Sequence, residues 1–165
     1  MGRSEDRTSE ASLEPLTRLL LDALGEGVYG IDAEGCATFL NPAAESLLGY
    51  RAGGFIGYRQ HDRIHHCRES GEPYPADECP IYAVLRDGVE RHITGELFWR
   101  SDGSSFPVEY TVAPVADGGA VVGAVVVFRD ISERLEAQTA LHQAHELQQA
   151  LLENLPDAAW MKDAD

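Results

Sequence analysis

Lysine is nearly absent from the sequence. Lys162 is the single lysine among 13 basic side chains, which face 28 acidic ones and leave a formal net charge of −15. A nucleic-acid backbone is bound by a basic stripe that displaces counterions, and this sequence offers none. An anionic membrane surface attracts the same kind of positive charge. We therefore expect neither nucleic acid nor a membrane surface as a partner.

Cysteines and long apolar runs are also scarce. The three cysteines, Cys36, Cys67 and Cys79, are too few and odd in number for a disulfide scaffold. There is no run of about 18 apolar residues, which predicts no membrane span. The first ten residues, MGRSEDRTSE, are polar and lack the apolar stretch of a signal peptide. These observations predict a reduced, cytoplasmic protein of ordinary globular composition.

The first quarter of the chain changes its hydrophobic period. Residues 1–12 are polar, and we expect them to be disordered. Apolar residues then recur at spacings of three and four, which predicts an amphipathic helix over 13–25. Two short strands are predicted at 27–31 and 37–40. Asn41 and Pro42 have the residue types that open a helix.

The following segments complete one domain, expected over residues 26–130. A short helix is predicted over 80–86. Strands are predicted at 91–100, 105–115 and 120–129, and the glycine-containing turns between them indicate an antiparallel meander. Five strands with the helices gathered between the second and third predict the α+β class.

A long helix is predicted over 131–155, because residues 133–155 contain neither glycine nor proline. Residues 137, 141, 144, 148, 151 and 155 form a short heptad seam, which favours a dimeric coiled coil. The alternative is a helix that packs on its own domain. His145 lies in a sequence like the phospho-acceptor box of a histidine kinase, but the arginine and proline expected after it are missing. We interpret His145 as a solvated helix residue.

Histidine and cysteine are concentrated between residues 61 and 79. If residues 59–67 are helical, His61 and His65 project from one face, and Cys79 can approach them across a loop rich in glycine and proline. His66 is a further candidate ligand. Zinc accepts nitrogen and sulfur ligands in tetrahedral geometry, and iron accepts the same set. A chance cluster of surface histidines, with Cys79 a small buried apolar residue, is the competing interpretation.

An enzyme is the least favoured interpretation. A histidine and cysteine metal site with an open position could hydrolyse a substrate, with Asp62 or Glu78 as the base. The sequence has no nucleophile motif, phosphate-binding loop or metalloprotease helix. We therefore predict no catalytic residues.

Four stretches of sequence resemble the PAS family of sensor domains. They match its opening, its first internal helix, its third and fourth strands, and its last strand with the exit motif; they lie at residues 21–32, 41–50, 98–109 and 126–134. The resemblance implies a five-stranded antiparallel sheet with helices on one face and signalling helices at both ends. It also implies that a signal leaves the domain through Asp130, Ile131 and Ser132.

The histidine region resembles a PAS subgroup with a His-x3-His-His, Gly-x-x-Tyr-Pro and Cys-Pro pattern. That subgroup often has another cysteine at the position of Ala37, whereas this chain has Cys36, one residue away. A shift of one residue turns a strand side chain to the opposite face. The fourth ligand is therefore open between Cys36, His66 and Cys67.

Other PAS domains suggest other cofactors. Some ligate haem from this region, which makes haem held by His61 or His65 an alternative to a metal. Flavin is less favoured, because the reactive-cysteine motif of the light-sensing relatives is absent.

The last residues resemble the start of a second PAS domain, cut off within 156–165. The chain is therefore expected to be an N-terminal fragment of a multidomain signalling protein, such as one of a two-component system. In this family the output is a histidine kinase, a cyclic-dinucleotide enzyme or a serine phosphatase. We expect a sensory input module that binds a metal or small ligand, forms a homodimer through its flanking helices and relays the change through the C-terminal helix. The alternative is a ligand-free dimerisation or interaction module.

Overall fold

A computed structural model of the chain describes residue 23 and residues 25–154. The expected disorder over 1–12, nearly all of the helix expected over 13–25, and the expected second domain at 156–165 lie outside these residues. In chain order the elements are β1 (Gly27–Asp32), β2 (Ala37–Leu40), α1 (Pro42–Leu48), α2 (Ala52–Phe55), α3 (Gln60–Ile64), a 3₁₀ turn (Ala76–Glu78), α4 (Pro80–Asp87), β3 (Arg91–Trp99), β4 (Ser105–Asp117), β5 (Ala120–Asp130) and α5 (Ser132–Glu153).

The strands form one antiparallel sheet in the order β2-β1-β5-β4-β3. Strand β5 is central, which explains why it is almost entirely apolar. Alternate residues of β4 and β5 are buried, as the two-residue period of a strand requires. The α+β prediction and the five-stranded antiparallel sheet are confirmed.

The core lies between one face of the sheet and the helices that connect β2 to β3. Each helix contributes buried side chains to it, and each fully buried apolar side chain stabilises the fold by about 1.5–3 kcal/mol. The helical members are Ala44, Leu48, Phe55, Ile64, Ile81 and Val84.

Asn41 fixes the junction between β2 and α1. Its side-chain oxygen accepts hydrogen bonds from the backbone N–H groups of Ala44 at 2.9 Å and of Val28 at 2.8 Å. The first is a helix cap, and the second ties the helix to β1. The predicted helix opening at Asn41 and Pro42 is confirmed.

A β-bulge interrupts strand β3 at Gly95. The register with β4 shifts between Thr94 and Glu96, and Gly95 has a φ of +88°. A Cβ atom on Gly95 would meet nothing within 4 Å, so the backbone conformation and not lack of space favours glycine. The extra residue lets Glu96 join Ile93 and buried Phe98 on the helix-covered face.

Helix α5 forms a unit of its own. It is continuous from Ser132 to Glu153, and residues 133–154 are all exposed. The exposed positions include apolar members of the predicted heptad seam, with Leu141 at 73% and Leu151 at 61% exposure. In the described residues, no helix combines the length and apolarity that crossing a bilayer requires.

Candidate metal centre

Helix α3 brings the two spaced histidines together. His61 lies in its first turn and His65 is the residue that ends it, with its backbone N–H donating to the His61 carbonyl at 3.1 Å. The ring centroids are 5.7 Å apart, and the two residues are only 4% and 1% exposed. The helix is shorter than the predicted 59–67, but the four-residue spacing still places both rings on the buried side.

Cys79 enters the same region from the other end of the loop. The 3₁₀ turn precedes it, and Pro80 begins α4 directly after it, so Cys79 occupies the N-cap position of that helix. Its side chain is fully buried, and its Sγ atom lies 3.2 Å from Nδ1 of His65.

His61, His65 and Cys79 each offer one ligand atom, and these atoms all lie within 4.8 Å of one another. A zinc ion with bonds of about 2.0–2.3 Å needs nitrogen and sulfur ligands roughly 3.5 Å apart in tetrahedral geometry. The His65–Cys79 separation is already close to that value. The other separations, which are no greater than 4.8 Å, have to approach the same value for a metal to bind.

In each histidine the outer ring nitrogen, Nε2, faces a hydrogen-bond acceptor, and the inner one is Nδ1. Nε2 of His61 donates to the backbone carbonyl of Tyr74 at 2.8 Å, and Nε2 of His65 lies 2.9 Å from the Glu96 carboxylate. The second contact is close but poorly aligned, since His65 Nε2 lacks a hydrogen bond of good geometry. A carbonyl or a carboxylate cannot donate, so each Nε2 carries a proton, and Nδ1 is the nitrogen that can bind a metal in exchange for any proton it holds.

Glu96 is a site residue that sequence reasoning missed. Its carboxylate accepts from the Tyr74 hydroxyl at 2.9 Å and from the Tyr110 hydroxyl at 2.5 Å, besides its contact with His65. The signal available in the sequence was Gly95, because a glycine inside a strand pattern indicates a bulge that redirects its neighbours.

The group is electrostatically coupled. Burial raises the pKa of the Cys79 thiol, but the proximity of both histidines and the nearby charge of His65 lower it to about 6. Burial lowers the pKa of His65, but the contacts with Cys79 and Glu96 raise it to about 9. Burial disfavours the charged form of Glu96, yet His65 and Tyr110 hold the pKa of its carboxyl below the ordinary range. The thiolate, which is the metal-binding form, is thereby favoured.

The other expected ligands lie elsewhere. His66 stacks on Trp99 and places Nδ1 3.0 Å from the Cys67 sulfur, so the structure does not bring His66 into the group. Cys36 makes a bridge with Arg59, one residue before β2. Ala37 is buried in the core. In the described part of the chain the group therefore has three members.

Two further polar atoms are buried nearby without a partner. They are Nε2 of Gln60, which precedes His61, and the hydroxyl of Tyr82, whose ring centroid lies 5.6 Å from that of His61. The Gln60 oxygen accepts from the Tyr29 hydroxyl at 3.2 Å. Buried polar groups are normally hydrogen-bonded, so these atoms leave the site with polar capacity that protein groups do not satisfy.

The carboxylates considered as catalytic bases stand apart from the group. Asp62 is exposed on α3, and Glu78 is exposed and pairs with Arg68. Neither belongs to the three-membered group.

The expected relay residues connect to the sheet. Arg100 donates to the Asp130 carboxylate at 2.9 Å, and the N–H of buried Ile131 donates to the Pro107 carbonyl at 3.0 Å. Ser132 is the first residue of α5. The end of β5 is thus held by the adjacent strand β4 and by Arg100, which directly follows β3, up to the residue before that helix.

Residues 16–131 match the family model described as the PAS fold. The chain is 28% identical over 138 residues to the signal transduction histidine-protein kinase AtoS of Escherichia coli, covering 80% of this chain and 20% of that protein. It is 30% identical over 130 residues to the probable diguanylate cyclase DgcE of Escherichia coli, covering 76% and 11%. Two-component system protein A of Emericella nidulans is 33% identical over 135 residues, covering 78% and 18%. The chain spans a fifth or less of these relatives.

Solved structures share the architecture. An RNA-binding light-oxygen-voltage receptor has a TM-score of 0.65 at 22% identity, covering 86% of this chain and 39% of that one. The PAS domain of an HTR-like protein from Haloarcula marismortui has a TM-score of 0.59 at 18% identity, covering 78% and 100%. At these identities the likeness concerns the fold.

Proposed function

Because the chain belongs to the PAS family of sensor domains, we propose that it is a sensory input module whose ligand is a metal ion held by His61, His65 and Cys79. Similar segments occur in a histidine kinase and a probable diguanylate cyclase. Metal occupancy is the input, and an output domain in the same polypeptide receives it. The module itself performs no catalysis.

The orientation of the two histidines carries this proposal. Both outer nitrogens face acceptors, so Nδ1 is the nitrogen that each histidine can offer to a metal beside a buried thiol of lowered pKa. The inner nitrogen of His61 is buried and has no hydrogen-bond partner. A buried lone pair without a partner is costly, and a metal ion removes that cost.

Zinc or iron suits this donor set best. Two imidazoles and a thiolate are soft or borderline ligands, which favour these ions over magnesium or calcium. A three-ligand set leaves a fourth position for water or a small anion. Gln60, which precedes His61, and Tyr82, whose ring lies 5.6 Å from that of His61, carry buried polar atoms without a partner. The site needs Cys79 reduced, which fits the expected cytoplasmic location.

Haem is the less favoured cofactor. The His65 ring packs edge-on against Tyr74 at 4.6 Å, Phe98 at 5.5 Å and Tyr110 at 6.2 Å between ring centroids. A macrocycle beside His65 would have to displace these rings from the core. A single ion needs no such rearrangement.

Elemental analysis tests the proposal directly. Protein purified without added metal, together with its absorption spectrum, is expected to contain about one zinc or iron per chain and to show no haem band. The variants His61→Ala and Cys79→Ser lose the metal, whereas the matched control His66→Ala keeps it. Metal-free wild-type protein that also fails to bind added zinc or iron contradicts the proposal.

A ligand-free dimerisation module is the second candidate. The exposed apolar residues of α5, including Leu141 and Leu151, favour it because a partner helix would bury them. Sedimentation of wild-type protein and of Leu141→Glu measures the dimer. A dimer that depends on Leu141, in a protein without metal, supports this candidate over the first.

A further inference from the structure

Three elements converge on one carboxylate beneath the candidate metal centre. His65 ends α3, Tyr74 lies in the loop before α4, and Tyr110 lies on β4; all three contact Glu96 of β3. Glu96 is therefore one point at which the helix-and-loop layer is joined to the sheet by polar contacts. We propose that Glu96 is a positioning residue that both orients His65 toward the metal and transmits metal occupancy to strand β4.

The orienting role follows from the direction of the hydrogen bonds. An ionised carboxylate accepts and never donates, so its contact with Nε2 of His65 keeps the proton on that nitrogen. Nδ1, which lies beside Cys79, is then the nitrogen that can bind a metal in exchange for its proton. A carboxylate behind a metal-binding histidine is a common way to fix the ring and strengthen the ligand.

The transmitting role follows from the alignment of that contact. The two atoms are 2.9 Å apart, but the hydrogen bond is poorly aligned. A metal ion that takes the place of the Nδ1 proton changes the charge distribution of the ring, and with it the strength of the Nε2–H donor. The length and alignment of the charge-assisted bond to Glu96 then change. This is a difference between two states, which coupling between sites requires.

Movement of Glu96 reaches β4 through Tyr110. The Tyr110 hydroxyl donates to the same carboxylate oxygen, Oε2, that faces His65. The two donors therefore share one oxygen, so a change in one bond alters the charge and the position of the oxygen that the other donor meets. Tyr110 pairs in register with Phe128 of β5, the strand that leads to Ile131. The inference rests on the proposed metal function and adds the residue through which the metal acts.

Gly95 supports the assignment independently. The bulge is what turns the Glu96 side chain to the helix-covered face, and it is favoured by a backbone conformation suited to glycine. Without the extra residue, alternation from Ile93 would direct Glu96 to the opposite face.

Hydrogen exchange with and without zinc tests the inference in the full chain. In wild-type protein, saturating zinc is expected to slow amide exchange about five-fold or more in β4 and β5, as well as around the ligands. In Glu96→Gln, zinc affinity falls roughly 10–100-fold. At saturating zinc, amide exchange in this variant is still slowed in α3 and at the start of α4 but is no longer slowed in β4 and β5.

A second variant separates transmission from orientation. Tyr110→Phe removes one hydroxyl and keeps the ring in the core, so zinc affinity stays within several-fold of wild type while the response of β4 and β5 is lost. The matched control is Glu109→Gln, a neighbouring strand carboxylate that contacts Arg129, His92 and Thr94 instead of the site and keeps the full response.

The outcomes distinguish the two proposals. Suppose that wild type, Glu96→Gln and Tyr110→Phe all bind zinc and that amide exchange in β4 and β5 slows equally in the three proteins. That result overturns the role of Glu96 and leaves the metal function standing. The role of Glu96 is also overturned if zinc does not slow exchange in the wild-type sheet, or if Glu109→Gln abolishes the effect as well. Absence of zinc binding by wild type overturns the metal function, and this inference with it.

Discussion

Two glutamates on neighbouring strands each gather several partners, but they lie in different surroundings. Glu96 is among Tyr74, Tyr110 and His65 on the helix-covered face. Glu109 contacts Arg129, the Thr94 hydroxyl at 3.1 Å and, at 3.6 Å, His92. The side chains of Arg129 and His92 are 52% and 62% exposed.

The difference lies in which partner is permanently charged. Arg129 carries its charge at every accessible pH, so Glu109 is neutralised whatever else happens. Glu96 faces two neutral hydroxyls and a histidine whose charge depends on what its other nitrogen binds. The outer cluster, around Glu109, therefore keeps its charges, whereas the inner cluster, around Glu96, is the one that we propose responds to an ion. The same residue types thus form an ordinary ion pair in one place and a candidate sensor in the other.

The largest expected effect is the loss of metal binding in Cys79→Ser. Removing a direct ligand costs more than the roughly 10–100-fold loss caused by an outer partner. Competition with a chromophoric chelator measures the affinity. Glu109→Gln is the control and retains wild-type affinity. Similar losses of metal affinity in Cys79→Ser and Glu109→Gln would show that the two clusters do not differ in this respect.

The second effect concerns the thiol in metal-free protein. The pKa of Cys79 is lowered to about 6 from the ordinary 9.0, chiefly by its histidine partners acting against burial. Cys79 therefore takes up a proton only as the pH falls through about 6. The difference in ultraviolet thiolate absorbance between wild type and Cys79→Ser follows this titration. In His65→Asn the midpoint of the Cys79 titration moves to higher pH. An unchanged midpoint contradicts the coupling between His65 and Cys79.

The third effect is stabilisation by zinc. Zinc at a hundredfold excess over its dissociation constant raises the free energy of unfolding by about 2.7 kcal/mol if it binds only the folded state. Urea titrations with zinc or with chelator measure the difference. His61→Ala gains no stability from zinc at that concentration. Arg129→Ala, in the outer cluster, gains as much as wild type.

The fourth effect compares two glycines of similar backbone conformation. Gly95 and Gly103 have φ of +88° and +84°, and a Cβ atom meets nothing within 4 Å at either position. Alanine at either site costs roughly 1–2 kcal/mol in unfolding measurements. Gly95→Ala also lowers zinc affinity, because it disturbs the bulge that orients Glu96. Equal zinc affinity in both variants would show that the bulge does not contribute to the site.

The smallest effect is expected from the outer ion pair. Arg129→Ala lowers the free energy of unfolding by no more than about 1 kcal/mol, since Arg129 is half exposed and such pairs contribute little. Denaturant titration at low and high salt measures it. A larger loss, insensitive to salt, would show that the outer cluster is more than an ordinary ion pair.

Most of the fold follows from local patterns in the sequence. The alternation in β4 and β5, the turns between the strands and the cap at Asn41 are all set within a few residues. His61 and His65 were also predictable neighbours, because residues four apart share a helix face. These features need no knowledge of distant parts of the chain.

The rest of the site depends on where elements end and how distant ones meet. Helix α3 ends at Ile64, and consecutive side chains point in different directions, so His66 contacts Trp99 while His65 turns inward. Glu96 was not predictable from alternation, because the bulge changes the face in mid-strand. Its partners Tyr74 and Tyr110 come from separate segments, which only the folded chain unites.

The contacts of Tyr74 tie the loop between the ligands to the site, and they bear on how long a bound ion would stay. Its carbonyl accepts from His61 and its hydroxyl donates to Glu96, while Arg68 lies over its ring at 4.2 Å. An ion held by the three buried ligands in the way we propose leaves only when this loop opens, so its residence time would be set by local unfolding rather than by diffusion. Such a sensor would average over brief changes in ion concentration and respond to lasting ones.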